Sequence, residues 1–252
     1  MSENRRECLQ DEALVLHVKN WQTADKYAVC FTKNNGKLRF IAYGARYVKN
    51  VQGRLLQPFA CLNIEVQQGQ KIDKLRSCEL VRMPQGMDVR QMAYGAVMAE
   101  LVAVLTEDRE PQPELYDLLV ASLATLVKRN PRLVTLSFAI KLLGLAGFAP
   151  NFDHCTCCGE AVTGTAQGWF SPAQGGYVCD KCRTIAEEPL QSCSSGALAL
   201  WQWLATLDYD NPAPFAVRGG ELMEVEHMLY TFIFFQTDKQ LNSLNFLNQL
   251  GL

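Results

Sequence analysis

The chain has 252 residues, a formal net charge of −2 and a hydrophobic content of 48%. This composition is typical of a globular protein of one or two domains and excludes a disordered or fibrous chain. No apolar run reaches the ~18 residues of a membrane helix, and no apolar stretch follows the N-terminal arginines as in a secretory signal. We therefore expect a cytoplasmic protein, in which the ten cysteines are core residues, metal ligands or redox groups.

The charges are unevenly divided along the chain. Residues 1–80 hold 13 Lys+Arg and 8 Asp+Glu, whereas residues 81–252 hold 11 and 18. A basic N-terminal third joined to an acidic remainder indicates a localised site for a polyanion.

The N-terminal third has the two-residue period of β-strands. Leu62, Ile64 and Val66 alternate with polar residues, and the turn-forming segment 34–36, Asn-Asn-Gly, separates two further apolar runs. Five short strands are predicted between residues 12 and 80. That number in so short a segment favours a small barrel of the OB type.

Beyond Pro84 the apolar period changes to that of helices. Helical stripes are predicted before residue 150 and again over Ser195–Leu207 and Glu221–Gln236. The predicted fold class is α+β and multidomain, with an OB-type β-barrel followed by an α-helical bundle that carries an inserted zinc-binding element. The predicted boundaries are 1–82 for the barrel, 83–150 and 191–252 for the helical domain, and 151–190 for the zinc element.

Two C-x2-C pairs are the most specific motif. Cys155 and Cys158 are separated by 20 residues from Cys179 and Cys182. Two such turns bring four thiolates into a closed tetrahedral shell, which is typical of one structural Zn²⁺ and leaves no position for a reactive water. A short hairpin is expected between the pairs. The alternatives are unligated core cysteines, a redox C-x2-C, or a ligand contributed by His154 or Cys157.

The segment from Lys26 to Ile64 contains seven basic residues, six aromatic residues and no acidic residue. Proteins that bind single strands combine positive charge for phosphates with aromatic faces for bases. An ordinary solvated basic face is the alternative interpretation. The residues predicted to bind DNA are Lys37, Arg39, Tyr43, Arg46, Tyr47, Lys49 and Arg54.

Motifs for nucleotide chemistry are missing. The sequence has no G-x-x-x-x-G-K-[ST] loop, no G-x-G-x-x-G, no H-E-x-x-H and no deaminase signature. We therefore expect a protein that is not an enzyme. Three hypotheses remain: a DNA-binding factor, a zinc-stapled protein–protein adaptor whose barrel is only structural, and an enzyme with an acidic metal site that leaves a weak signature.

Several segments together resemble the bacterial RecO family of recombination mediators. They are FTKNNGKLRFIAYGAR, LLQPF at Leu55–Phe59, the two C-x2-C pairs with their glycine-rich hairpin, and the C-terminal TDKQLNSLNFLNQL. The resemblance follows the same order along essentially the whole chain. It implies the barrel, the helical bundle and the zinc element already predicted.

The resemblance also implies a function and partners. It implies binding to single- and double-stranded DNA, strand annealing, and help in loading RecA onto DNA coated by single-strand-binding protein, in association with the nucleoid. The implied protein partners are RecR and the acidic C-terminal tail of single-strand-binding protein. For that tail the helical half offers basic groups beside apolar ones, and the candidate residues are Arg129, Arg132 and Lys141.

Overall fold

The structure is a computed structural model that describes residues 8–163 and 167–251. The first seven residues of the predicted barrel domain and residues 164–166 of the predicted zinc element lie outside the described residues. The chain folds into two compact units. The first comprises residues 1–131 and 241–252, and the second comprises residues 132–240. The predicted domain boundaries at residues 82, 150 and 190 do not coincide with those of the units, and they stay predictions.

The barrel of the first unit is built from five strands. They are β1 (Cys8–Trp21), β2 (Asp25–Thr32), β3 (Gly36–Ala42), β4 (Cys61–Gln67) and β5 (Asp73–Arg82). The barrel is closed in the order β1-β2-β3-β5-β4, because β1 pairs antiparallel with both β2 and β4. Strands β3 and β5 run parallel. This five-stranded architecture confirms the predicted OB-type barrel.

The two-residue period decides which side chains enter the barrel. Ala28 and Cys30 of β2 lie in its core together with Leu38, Phe40 and Ala42 of β3. The intervening residues of both strands therefore point outward, because successive side chains of a strand alternate between its faces. Leu62, Ile64 and Val66 of β4, which alternate with polar residues in the sequence, lie in the same core, and the predicted alternation is confirmed there.

Helices pack against part of the barrel and form much of the second unit. They are α1 (Val51–Leu55), α2 (Val89–Leu105), α3 (Pro113–Thr125), α4 (Pro131–Leu145), α5 (Ser195–Thr206), α6 (Gly219–Thr237) and α7 (Asn242–Gln249). Helix α2 begins with a capping box, in which the Asp88 side chain accepts from the Gln91 amide and the Gln91 side chain accepts from the Asp88 amide. Within the described residues no helix has the length and apolar character needed to cross a membrane.

Within the first unit, α3 packs on the outer face of β2. The rings of Phe31 and Tyr116 lie 6.4 Å apart, and the Tyr116 hydroxyl donates to Glu12 of β1 at 3.1 Å. Phe31 is therefore fully buried although it points away from the barrel core. Burial of an outward-facing aromatic residue leaves only part of the barrel surface free to meet a ligand.

The second unit carries a small sheet with the strand order β7-β6-β8. Its strands are β6 (Gly168–Ser171), β7 (Gly176–Cys179) and β8 (Gln191–Cys193). Strands β6 and β7 form the hairpin predicted between the cysteine pairs. Phe170 of β6 packs against Phe152 at 5.7 Å and Phe232 of α6 at 5.8 Å between ring centroids. These aromatic contacts attach the hairpin to a helix of the same unit.

Candidate metal centre and nucleic-acid surface

The first cysteine pair lies in a tight turn closed by backbone hydrogen bonds. The Gly159 amide donates to the Cys155 carbonyl at 2.9 Å, and the Cys155 amide donates to the Glu160 carbonyl at 2.8 Å. Gly159 follows Cys158 with a φ of 74°, a backbone conformation that favours glycine. This turn places the side chains of Cys155 and Cys158 on the same side of the loop.

The second pair begins where β7 ends. Cys179 is the last residue of that strand, and residues Asp180–Cys182 form a short 3-10 turn. The Ala186 amide donates to the Cys182 carbonyl at 3.0 Å and continues the turn. The hairpin thus carries Cys179 back toward the first pair, where its amide donates to the Cys155 sulfur at 3.3 Å.

The four predicted ligands converge in one cluster. The sulfur atoms of Cys155, Cys158, Cys179 and Cys182 all lie within 4.8 Å of one another, and those of Cys158 and Cys179 are 3.7 Å apart. A tetrahedral Zn²⁺ with bonds of ~2.3 Å to sulfur separates its ligands by about 3.8 Å. The donor set and its spacing therefore fit a metal ion held by four thiolates.

The two alternative ligands lie outside this cluster. The Cys157 thiol donates to the side-chain oxygen of Gln174 at 3.4 Å, and His154 is exposed and pairs through its backbone with Ala161. Neither belongs to the group of four whose ligand atoms converge. Cys157 and Cys158 are adjacent in the chain, but the turn directs the Cys158 side chain into the cluster and the Cys157 side chain toward Gln174.

Electrostatics distinguish Cys155 from cysteines of the core. Burial acts to raise the pKa of the Cys155 thiol, but backbone hydrogen bonds from Cys179, Cys158 and Cys157 outweigh it and lower the pKa to about 6. In contrast, burial raises the pKa of Cys193 to about 12. The amides around Cys155 therefore favour its thiolate, the ionisation state that ligates metal. Burial raises the pKa values of Cys179 and Cys182 in the same cluster, so the four thiols do not ionise alike.

Five of the predicted DNA-binding residues lie close together in sequence and are exposed. We call this set the loop surface, and it consists of Tyr43, Arg46, Tyr47, Lys49 and Arg54. It covers the connection from β3 to α1 and the helix itself. Tyr43 and Tyr47 are 53% and 67% exposed, which is unusual for aromatic residues unless they serve an interface.

The loop surface is held in place by hydrogen bonds to the β1–β2 turn. The Arg46 amide donates to the Ala24 carbonyl at 2.9 Å, and its guanidinium donates to the Thr23 carbonyl at 2.9 Å. The Gly44 amide donates to the Asp25 carboxylate at 2.8 Å. These bonds order the loop before any ligand arrives, which reduces the entropy lost on binding.

Lys37, which the sequence predicts to bind DNA, is buried in the structure. Its side chain is buried, with the residue only 3% exposed, and its ammonium donates to the carbonyls of Ala103 at 2.7 Å and Thr106 at 2.5 Å. Lys37 faces outward from β3, but helix α2 packs over that position. An ammonium enclosed by internal carbonyls cannot reach a phosphate, and we therefore leave Lys37 out of the proposed DNA surface.

Other basic residues of the same stretch also have internal partners. Arg39 is partly exposed and its guanidinium lies 2.8 Å from the Asp108 carboxylate. Lys26 donates to the Gly53 carbonyl at 2.5 Å, where it holds α1 against the barrel. The density of positive charge available to a polyanion is therefore lower than the sequence indicates. Within the loop surface the Arg46 guanidinium is also engaged by backbone carbonyls, although the residue is exposed.

Lys74 is a neighbour of the loop surface that sequence reasoning missed. It lies on β5, opposite Ile41 in the parallel register, and its ammonium is 5.4 Å from the centroid of the Tyr43 ring. Residues 43 and 74 are far apart in the chain, and only the parallel pairing of β3 and β5 brings them together. A prediction of that pairing from the OB strand order could have found this residue.

The residues predicted to bind a protein tail fall in different units. Arg129 belongs to the first unit, whereas Arg132 and Lys141 belong to the second. Arg132 makes a two-point ion pair with Glu226, with Nε 2.7 Å from Oε1. Lys141 donates to the Leu207 carbonyl at 2.5 Å, and burial lowers its pKa. Arg132 and Lys141 are therefore engaged by contacts inside their own unit.

The chain is similar to two family models that together cover most of its length. The model described as recombination protein O N terminal matches residues 6–84, and the model described as recombination protein O C terminal matches residues 87–245. The first match ends close to the end of β5, and the second contains all four clustered cysteines.

Several proteins are similar to this chain along nearly its whole length, and they share one name. The protein from Symbiobacterium thermophilum is 34% identical over 246 residues, which is 95% of this chain and 96% of the relative. The protein from Myxococcus xanthus is 31% identical, with 96% and 98% covered, and that from Nocardioides sp. is 28% identical, with 95% and 99% covered. All three are called DNA repair protein RecO.

Proposed function

This chain belongs to the RecO family, and on that premise we propose that it is a DNA repair factor that binds single- and double-stranded DNA without catalysing a reaction. The observation that carries the proposal is the loop surface on a closed OB-type barrel. The loop surface has three cationic side chains and two exposed aromatic rings. Proteins that bind single strands use groups of these two kinds to contact phosphates and bases. The names of the relatives support the role in repair.

The clustered cysteines support a structural zinc as the cofactor. We propose one Zn²⁺ bound by Cys155, Cys158, Cys179 and Cys182, because four thiolates form a closed shell that is typical of a structural site. The ion would fix the two cysteine turns and the hairpin between them. This small sheet has little core of its own, so metal binding would supply part of its folding free energy.

The finer role proposed is that of a passive mediator. We propose that the protein anneals complementary strands and helps RecA assemble on strands coated by single-strand-binding protein, with RecR and the tail of that protein as partners. Family membership supports this role. Without a nucleotide-binding motif to supply energy, each rearrangement would be driven by differences in binding free energy.

A titration of labelled single-stranded DNA at several salt concentrations tests the binding proposal. The double variant Lys49→Glu/Arg54→Glu should bind much more weakly than the wild type and show a shallower dependence on salt, because each lost phosphate contact removes ~0.7 from the log–log slope. The matched control is Lys128→Glu/Lys239→Glu, which changes the net charge equally at exposed positions elsewhere. Equal affinity of the two double variants would contradict the proposed surface.

The mediator role needs a separate assay. Purified protein should anneal complementary strands coated with single-strand-binding protein in the absence of any nucleotide. With RecR added, it should shorten the lag before RecA assembles on such strands. Failure in both assays with folded, metal-loaded protein would favour the adaptor hypothesis, and ATP hydrolysis intrinsic to the chain would favour an enzyme.

A further inference from the structure

An aromatic pair with a lysine beside it lies at the hairpin between β1 and β2. The rings of Trp21 and Tyr27 are 5.9 Å apart, and the Lys19 ammonium is 5.6 Å and 5.0 Å from their centroids. Trp21 is 36% exposed although it is a large apolar residue. Tryptophan and tyrosine in such positions are enriched where a protein meets a ligand or partner.

The strand register places this pair on the same face as Lys74. Lys19 lies opposite Tyr27, Tyr27 lies opposite Ile41, and Ile41 lies opposite Lys74. These four residues therefore form one row across β1, β2, β3 and β5 on the outside of the barrel. Ile41 is only 5% exposed, so the row is apolar and covered at its centre and carries a lysine at each end.

The row continues directly into the loop surface. Arg46 of that surface donates to the carbonyls of Gln22 and Thr23, the two residues that follow Trp21. Asp25, which lies opposite Trp21 in the register, accepts the amide of Gly44 and so contributes to fixing the loop. The aromatic pair and the loop surface are thus parts of one ordered face.

We propose that Trp21 and Tyr27, with Lys19 beside them, form a stacking station for the bases of single-stranded nucleic acid, in addition to the loop surface. The inference rests on the proposed function and extends it. Stacking is available only to bases that are not enclosed in a duplex, whereas phosphates are equally accessible in both forms. We therefore expect the station to make this face bind single strands more tightly than duplex, with Lys19 contributing a phosphate contact.

Three variants of the full-length, metal-loaded chain test the station. Trp21→Ala removes the ring, Trp21→Phe retains a smaller ring, and Lys19→Met removes the charge but retains the apolar stem. Binding of labelled oligothymidylate and of a labelled duplex is measured by anisotropy. Quenching of tryptophan fluorescence by unlabelled oligothymidylate is measured in parallel, and thermal unfolding checks that each variant is folded.

The expected pattern separates stacking from charge. Trp21→Ala should bind oligothymidylate roughly 5- to 150-fold more weakly, the effect of losing one stacked base, and should bind the duplex as the wild type does. Trp21→Phe should recover most of the affinity but lose the part of the quenching that comes from Trp21. Lys19→Met should lower the salt slope for single strands by about 0.7.

Two results would overturn the inference while leaving the proposed function intact. One is unchanged oligothymidylate affinity in folded Trp21→Ala protein. The other is equal weakening of single-strand and duplex binding, since a ring that only stabilises the hairpin would affect both. A wild-type protein that bound neither form of DNA would instead refute the proposed function, and this inference with it.

Discussion

The ammonium of Lys37 lies 2.5 Å from the carbonyl oxygen of Thr106, the residue that ends helix α2. A second bond reaches the carbonyl of Ala103 in the last turn of the helix. The C-terminal carbonyls of a helix have no partner within it and carry a partial negative charge. A lysine from strand β3 thus satisfies the end of α2 and joins the helix to the barrel.

Replacing this lysine should affect stability and not DNA binding. Lys37→Met leaves the buried carbonyl of Thr106 and the half-buried carbonyl of Ala103 without this donor, and we expect a loss of ~1–3 kcal/mol in the free energy of unfolding. Urea denaturation measures the loss, and Lys49→Met at an exposed position should change stability by less than ~0.5 kcal/mol. A salt titration with DNA should show the opposite order. Lys49→Met should lower the log–log salt slope of DNA binding, and Lys37→Met should leave that slope unchanged. A lowered slope for Lys37→Met would show that this lysine reaches phosphate after all.

The metal centre should contain one zinc ion per chain. Cys179→Ser removes one of four ligands, and we expect loss of the metal together with lower thermal stability and solubility. Elemental analysis of freshly purified protein measures the zinc directly. Cys157→Ser is the matched control, because its thiol bonds to Gln174 and not to the cluster. Wild-type protein without stoichiometric zinc would disprove the assignment.

The exposed ring of Tyr47 should contribute to single-strand affinity. If a base stacks on it, Tyr47→Ala should weaken binding to a single-stranded oligonucleotide by ~1–3 kcal/mol. Tyr47→Phe retains the ring and should bind nearly as well as the wild type. Anisotropy titrations at one fixed salt concentration compare the three proteins. Equal affinities would mean that this ring takes no part in binding.

Helix α7 should depend on a carboxylate from α2. Glu100 accepts the backbone amides of Asn242 at 3.0 Å and Ser243 at 2.8 Å, and α7 has no side-chain cap of its own at Leu241. Glu100→Ala should therefore cost ~0.5–2 kcal/mol, the range for loss of a helix cap, and Glu100→Gln, which retains one acceptor oxygen, should cost less.

Hydrogen exchange over residues 242–249 tests this cap at its location. Exchange there should accelerate in Glu100→Ala, because loss of the cap allows the first turn of α7 to open more often. Exchange in β4, which Glu100 does not contact through any of these bonds, serves as the internal reference. Unchanged exchange in α7 would show that packing on α2 holds the helix without the cap.

Local patterns in the sequence determined a large part of this molecule. The two C-x2-C pairs and the hairpin between them follow from turn geometry within a short segment, and the structure brings the same four cysteines together. The alternation in β4 likewise placed Leu62, Ile64 and Val66 in the barrel core. Such patterns are predictive because residues two to four apart interact through the local backbone, whatever the rest of the chain does.

The tertiary structure alone decided which basic and aromatic residues remain at the surface. Lys37 and Lys49 both lie in the basic segment from Lys26 to Ile64, and the sequence predicts the same role for both. In the structure the end of α2 encloses the Lys37 ammonium, whereas Lys49 is exposed. Lys19, Tyr27 and Lys74 share one row on the outside of the barrel only because the pairing of β1, β2, β3 and β5 aligns distant residues. Exposure and register depend on packing between segments far apart in the chain, and that packing depends on the fold as a whole and not on a local period.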